Sequence, residues 1–292
     1  MKGVIVAAGY GTRFLPASKT IPKEMFPVID RPAIDFIIDE FISSGIREIL
    51  IVTSRRKKAL EDYFDREIEL EGIFAAQGAE KKQSKIKRAD ADFFFVRQEE
   101  MLGTGHALLK AKPFVGKEPF IVAYPDDLHL GKKPLSRQLV EVYEETGCSV
   151  LATVHDPPEL HRYAVPKLDD DGVHVLDIVE KPDPGTELSR EAVIGRILYS
   201  GEFLEACQEG WDVHRIEGSG EYHHIYGLKK LINKGKVVTK QIEGERLDIG
   251  TPQGYLSAIL RYAMTRPELK VTLKRETELA MRTDSSSPQV ES

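Results

Sequence analysis

Two glycines two residues apart, then an arginine, then a lysine ten residues later, make residues 9–23 a candidate anion site. The segment 7–16 (AAGYGTRFLP) leads into 21–25 (IPKEM). Gly9 and Gly11 let the backbone approach a phosphate closely and take conformations barred to other residues. Successive backbone N–H groups in such a loop, Ala8 and Thr12 included, form a nest for anions. Arg13 adds a planar fork for phosphate oxygens. Lys23 adds a mobile point charge. The dinucleotide fingerprint needs a third glycine at position 14, where Phe14 stands, and the Walker A pattern is absent. A glycine pair after a strand also occurs in plain strand-to-helix loops. Position, glycines and both cations together favour phosphate binding.

Gln98 closes the run 93–98 (FFFVRQ). Its amide offers a donor and an acceptor side by side, a match for a ligand edge that pairs an acceptor with a donor. The alternative is a surface amide at a strand end. Asp126 and Asp127 follow Pro125 at the end of another apolar run. A hard cation such as Mg²⁺ takes oxygen ligands and needs one or two carboxylates when phosphates and water complete its shell. Asp126 is the candidate ligand and Asp127 a supporting residue. Asp248, in 247–252 (LDIGTP), is the candidate second ligand. An Asp–x–Gly–Thr turn before a helix also reads as a capping arrangement. His223 and His224 are adjacent, and neighbours on a helix diverge, so a surface pair rather than a metal site is expected.

Strands and helices must carry these groups. Residues 4–8 (VIVAA) form a short buried-strand pattern that runs into the glycine loop. Asp30-Arg31-Pro32 opens a helix, with Ile34, Ile37, Ile38, Phe41 and Ile42 as its apolar face and Gly45 at its end. Strands at 48–53, 93–96 and 120–124 alternate with helical stretches at 60–64 and from 103 to 110. The alternation predicts an α/β, Rossmann-like fold, a mostly parallel central sheet flanked by helices. Ligands bind such sheets at the carboxyl ends of the strands, where the glycine loop, Gln98 and Asp126 fall.

The second half changes character. Strand candidates at 150–154, 164–167, 173–179 and 193–198 follow closely, with little helix between them. They predict a mixed sheet for a second substrate. Residues 228–232 and 255–262 read as helices, with a strand at 237–242 between. One domain is expected over 1–283: a part of about 1–130 with the phosphate loop, a part of about 131–262 for the second substrate and a C-terminal helix of about 263–283. The polar tail 284–292 is expected to be disordered. Lys81, Lys82, Lys85, Lys87 and Arg88 mark a solvated insertion over 77–92.

The chain has 292 residues, 41% hydrophobic and 30% charged, enough for a sizeable core under an ordinary polar surface. A net charge of −6 argues against a nucleic-acid partner. An anionic substrate therefore needs a local cluster of cations. Cys148 and Cys207 match no metal spacing and no disulfide framework, which fits a reducing cytoplasm. The opening apolar run is too short for a secretory signal or a membrane span.

The segment AAGYGTRFLPASKTIPKEMFPVIDRP resembles the N-terminal signature of bacterial UTP–glucose-1-phosphate uridylyltransferases, within the wider sugar nucleotidyltransferase family. The likeness continues through IREILIVTSRRKKALEDYFD and runs more thinly to about Tyr262. It implies that Arg13 and Lys23 hold the triphosphate and stabilise charge at the reacting α-phosphorus. It implies that Gln98 and Gly103 read uracil. Glu180 and Lys181, in 179–182 (VEKP), match a segment whose glutamate accepts from sugar hydroxyls and whose lysine meets the sugar phosphate. Gly195-Arg196 matches another sugar-site element.

The implied reaction is Mg²⁺-dependent transfer of uridylyl from UTP to glucose 1-phosphate, with release of pyrophosphate. The implied assembly is a homodimer or homotetramer, with no membrane partner. Another sugar 1-phosphate or dTTP is the alternative within the class. A non-catalytic sugar-nucleotide-binding regulator is the alternative outside it. Three departures concern the sugar side or a subunit neighbour. The family's tyrosine–glycine is Tyr163-Ala164, its acidic segment reads EYHHIYG over 221–227, and Pro252 replaces a lysine after the second aspartate.

Overall fold

An unbroken apolar strand needs cover on both faces, and β1 (Lys2–Val6) has it. In this computed structural model, which describes residues 1–284, β1 lies at the centre of a sheet. The chain then makes a short ribbon of β2 (Pro27–Val28) and β3 (Arg31–Pro32), helix α1 (Ala33–Ser43) and β4 (Glu48–Thr53). Helices α2 (Lys58–Phe64), α3 (Ile68–Ala76) and α4 (Glu80–Gln83) lead to β5 (Asp92–Arg97). Next come α5 (Thr104–Leu109), α6 (Lys112–Val115), β6 (Phe120–Ala123) and β7 (Asp127–Leu130). Strands β4 and β6 flank β1 on its two sides, both parallel to it, and β5 runs parallel to β4.

The second half supplies α7 (Leu135–Thr146), β8 (Ser149–His155), β9 (Ala164–Leu168), β10 (Val175–Glu180) and β11 (Glu191–Tyr199). Then follow α8 (Phe203–Glu217), α9 (Ile225–Ile232), β12 (Val237–Gln241), β13 (Glu245–Asp248), α10 (Pro252–Thr265) and α11 (Pro267–Asp284). Among the described residues one sheet takes the order β10-β9-β11-β6-β1-β4-β5, with β8 on β11 and β12 on β8. Strand β11 is antiparallel to β6, β8 and β9. The expected parallel sheet and its mixed extension are therefore one continuous structure. A separate ribbon joins β13 to β7 and sets Asp248 opposite Asp127.

Strand alternation divides the core into two layers. Ile5, Ile49, Ile51 and Ile121 face α1, α7 and α10, through residues such as Ile37, Phe41, Leu139 and Ala258. Val4, Leu50, Val52 and Val122 face α5, α8 and α9, through Leu108, Leu204, Leu228 and Leu231. Each fully buried aliphatic side chain contributes roughly 1.5–3 kcal/mol of transfer free energy.

Three local expectations need correction. Residues Arg31–Pro32 form a strand, and the helix begins at Ala33 with Pro32 as its cap. Between β8 and β11 there is little helix, as expected, but helices α7 and α8 lie on either side of that stretch, where none was expected. Leu135, Leu139 and Val140 of α7 are buried while its other face is charged, so a helical stripe was present but diluted. The C-terminal helix runs from Pro267 to Asp284. The tail expected beyond it lies outside the described residues.

Candidate active site

The glycine loop leaves β1 and turns at Gly11, which holds φ 67°. The Ser18 hydroxyl donates to the Gly11 carbonyl at 2.7 Å and braces the turn. Arg13 lies across the loop with Nη1 3.4 Å from the Gly250 carbonyl. Lys23 opens a short 3-10 turn, Lys23–Met25. Its Nζ sits 2.6 Å from Asp126 Oδ2, at the end of β6. Burial alone would lower the Lys23 ammonium, but Asp126 and Glu24 outweigh it and raise it above 10.5. The Asp126 carboxyl is pushed up by burial and drawn down further by Lys23, so it stays below the ordinary range. Both groups are charged.

Behind Lys23, Glu24 turns inward and meets Lys57 Nζ at 2.7 Å. Lys57 lies at the start of α2. Burial lowers its ammonium more than Glu24 raises it. The ion pair ties the lysine turn to the end of β4.

A cavity of about 280 Å³ opens above the strand ends. Ala8, Gly9, Lys23, Gln98, Gly103 and Asp126 all face it. Gln98 is buried, and its Nε2 donates to the Gly103 carbonyl at 3.1 Å. The same nitrogen lies 3.2 Å from His106 Nδ1. The donor half of the amide is therefore used inside the protein, and only Oε1 remains to accept from a base. This corrects the expectation that Gln98 offers both a donor and an acceptor.

Gly103 holds φ 98°, and a Cβ there would stand 2.5 Å from the Tyr222 carbonyl oxygen. Tyr222 crosses this turn closely. Its N–H donates to Leu102 O at 2.8 Å, and its carbonyl accepts from the Gly105 N–H at 2.9 Å. His224 follows with Nδ1 3.0 Å from Thr104 Oγ1. Burial pushes its imidazole down to about 4. The expected surface histidine is instead half-buried against α5.

The two candidate metal carboxylates converge over Gly250. A Cβ built there would lie 3.0 Å from Asp248 Oδ1 and 3.3 Å from Asp126 Oδ2. The Ile249 N–H donates to the Asp126 carbonyl at 2.8 Å, which joins the two turns. Asp248 is not the cap of α10. Thr251 is, with its hydroxyl accepting from the Gly254 N–H at 3.1 Å. Two carboxylates with oxygens that close to one point beside Gly250 suit Mg²⁺ if substrate phosphates and water complete its shell.

Tyr163, Ala164, Glu180 and Gly195 gather along β9, β10 and β11. Ala164 pairs with Glu180 across one ladder and with Val193 across another. The Lys181 N–H donates to the Tyr163 carbonyl at 3.0 Å. Lys181 itself takes φ 49°, and its exposed Nζ lies 3.8 Å from Glu180 Oε1. The Gly195 N–H donates to Asp127 Oδ2 at 2.5 Å. Arg196 is different. Its guanidinium is buried against Glu40 at 2.9 and 3.0 Å. Arg196 is therefore engaged inside the protein and is not free to meet a ligand.

The family model described as Nucleotidyl transferase matches residues 2–265. The chain belongs to this family. A UTP–glucose-1-phosphate uridylyltransferase of Staphylococcus epidermidis is 39% identical over 283 residues, covering 94% of this chain and 96% of that one. The UDP-glucose pyrophosphorylase from Acinetobacter baumannii superposes with a TM-score of 0.84 at 30% identity, covering 96% of this chain and 99% of that one. A UDP-glucose pyrophosphorylase complexed with UDP-glucose gives 0.79 at 33% identity, covering 91% and 99%.

Around the candidate site residues, the structure shows contacts that the sequence did not mark. Arg246 reaches Asp127, Asp248 and Tyr163. His106 meets the Gln98 amide. Glu24 and Lys57 brace Lys23. Arg246 was open to detection, since it stands two positions before Asp248 and strand neighbours at that spacing share a face.

Proposed function

We propose that the protein transfers the uridylyl group of UTP to glucose 1-phosphate, giving UDP-glucose and pyrophosphate by direct in-line displacement. The observation that carries this reading is one cavity faced by the glycine loop, Lys23, Asp126 and Gln98. The 39% identity to a named uridylyltransferase over nearly the whole chain supports the choice of substrates. Gln98 Oε1 accepts from the N3–H of uracil, and the backbone at Gly103 lies beside it. Cytosine lacks that proton. The backbone from Ala8 through Gly9 and Gly11 to Thr12 cradles the triphosphate.

The attacking oxygen belongs to a phosphate that is already ionised, so no general base is required. Catalysis is positioning and charge stabilisation. Lys23 and Arg13 stabilise the leaving pyrophosphate. Lys181 orients the sugar phosphate, and Glu180 accepts from sugar hydroxyls. Tyr163, Ala164 and Gly195 shape the sugar side. Asp126 and Asp248 would hold Mg²⁺, which would supply a template and a Lewis acid for the phosphates.

We divide the domain into a nucleotide-binding part of about 1–130, a sugar-binding part of about 131–262 and the C-terminal helix. Two free cysteines fit a cytoplasmic setting, and no helix among the described residues is long and apolar enough to cross a membrane. The assembly we assign is a homodimer or homotetramer, open to test by sedimentation.

The decisive experiment measures pyrophosphate release over a matrix of nucleoside triphosphates and sugar 1-phosphates. UTP with glucose 1-phosphate is expected to be fastest. No release from any pair refutes catalysis and leaves a sugar-nucleotide-binding regulator. Release with another sugar or with dTTP overturns the substrates and keeps the reaction class.

A further inference from the structure

Arg246 stands on the β7–β13 ribbon, and its guanidinium divides its donors among three partners. Nε meets Asp127 Oδ1. Nη2 donates to Asp248 Oδ2 at 3.1 Å. Nη1 donates to Tyr163 Oη at 2.9 Å, and the guanidinium carbon lies 5.1 Å from the centre of that ring. Asp127 in turn fixes the Gly195 N–H. One largely enclosed cation therefore touches a candidate metal ligand, a sugar-side ring and the carboxylate behind a sugar-side glycine.

The geometry at Asp248 gives this contact a direction. Arg246 holds Oδ2 while the Gly250 N–H holds Oδ1 at 2.8 Å. The carboxylate plane is fixed, and Oδ1 is left turned toward Asp126 Oδ2 across the gap over Gly250. A guanidinium is planar and rigid, so a shift at one nitrogen is felt at the others. A lysine ammonium, a point charge on a flexible stem, has no such lever.

Charge adds a second argument. Asp126, Asp127 and Asp248 bring three negative charges, and Lys23, Arg246 and Arg13 bring three positive ones. Each candidate metal carboxylate already carries a protein cation, Lys23 on Asp126 and Arg246 on Asp248. A divalent cation that draws on Asp248 competes with Nη2 for it. The guanidinium then interacts more strongly with Tyr163 and with any anionic group beside that ring.

We propose that Arg246 is a positioning residue that couples the divalent-cation subsite to the sugar subsite, through Asp248 at one end and Tyr163 at the other. The proposal rests on the roles assigned above to Asp248 and Tyr163. Coupling of binding free energies is reciprocal. The metal strengthens binding of the sugar moiety, and the sugar moiety strengthens binding of the metal by the same factor.

Mn²⁺ is the probe, with bound and free ion distinguished by electron paramagnetic resonance. Its Kd is measured on the complexes with UDP and with UDP-glucose, and the ratio of the two is the coupling. In the parent protein the ratio is expected to favour UDP-glucose on the order of tenfold, within the usual span of site-to-site coupling. Arg246→Lys keeps a charge against Asp127 and loses the fork. Tyr163→Phe keeps the ring and removes only the bridging oxygen, so it reads the link even if the arginine variant fails to fold. Both are expected to move the ratio toward unity.

A ratio in Tyr163→Phe as large as in the parent overturns the proposal. So does a parent ratio of one when UDP-glucose still binds, and the assigned reaction survives in that case. If UDP-glucose does not bind the parent with or without metal, the assigned reaction falls, and this coupling falls with it.

Discussion

Lys57 Nζ lies 2.7 Å from Glu24 Oε1, in an ion pair whose side chains are 6% and 1% exposed. The other oxygen of Glu24 has no hydrogen-bond partner. Removing one partner strands a buried charge, at a cost of about 3–5 kcal/mol. Lys57→Met should destabilise by that order in urea unfolding. The double variant Lys57→Met, Glu24→Leu should recover much of the loss, because no charge is left stranded. A double variant no more stable than Lys57→Met would show that packing, not charge, fixes the turn.

Lys23→Ala should lower kcat far more than it weakens UTP binding. The lysine charge counts most as negative charge moves onto the leaving pyrophosphate, which is differential stabilisation of the transition state. The loss is expected on the order of a hundredfold, as for one donor in a site of this kind. Steady-state kinetics with calorimetric UTP binding separate the two effects. An unchanged kcat removes Lys23 from its role.

Asp126→Asn and Asp248→Asn each keep the side-chain shape and remove its charge. Both should raise the Mg²⁺ concentration for half-maximal activity. In Asp126→Asn, Lys23 also loses its partner, so kcat at saturating Mg²⁺ should change as well. If Asp248→Asn behaves as the parent in the Mg²⁺ titration, its carboxylate serves only the loop at Gly250.

Gln98→Glu replaces the donor that the Gly103 carbonyl requires. A carboxylate facing that carbonyl costs roughly 1–3 kcal/mol, the range for a buried acceptor left unpaired. The turn at Gly103 should shift, and kcat/KM for UTP should fall by at least an order of magnitude. Equal use of UTP by variant and parent would put the base elsewhere.

His224 predicts a pH dependence of stability. Burial, and then the neighbouring His223, push its imidazole down to about 4 from an ordinary 6.5. As pH falls through 6.5 the unfolded chain takes up a proton that the folded chain refuses until about 4. The unfolded state binds more protons in that window, so stability falls with falling pH across it. His224→Gln should show a smaller drop in Tm between about pH 7 and about pH 5. An equal drop in both proteins assigns the effect to other groups.

The phosphate loop, Gln98 and Asp126 could be read early because each sits where a strand ends, and strand ends follow from local apolar runs at β1, β5 and β6. Helix α7 was hidden because its buried face mixes Leu135, Leu139 and Val140 with the polar Ser136 and Gln138, and Arg137, Glu141, Glu144 and Glu145 dilute the apolar pattern further. Arg246 could be placed beside Asp248 from their spacing, but not its wider reach. Its other partners, Asp127 and Tyr163, stand 119 and 83 positions away, and no local pattern encodes such a meeting. The same holds for His224 and Thr104, which are 120 positions apart. The direction of the Gln98 amide depended on where the Gly103 carbonyl points, which residue types do not reveal.

Tyr222 clasps the turn at Leu102, Gly103 and Gly105 through both of its backbone groups, and a side chain at Gly103 would strike it. The cavity wall at Gly103 is thus written in two distant stretches of the gene. A chimera that took residues 1–130 from this protein and the remainder from a relative would inherit half of that wall from each parent. Recombination among relatives could then exchange acceptor preference only by carrying a compatible clasp along with it. The two substrate preferences of this protein are therefore expected to change together in its descendants.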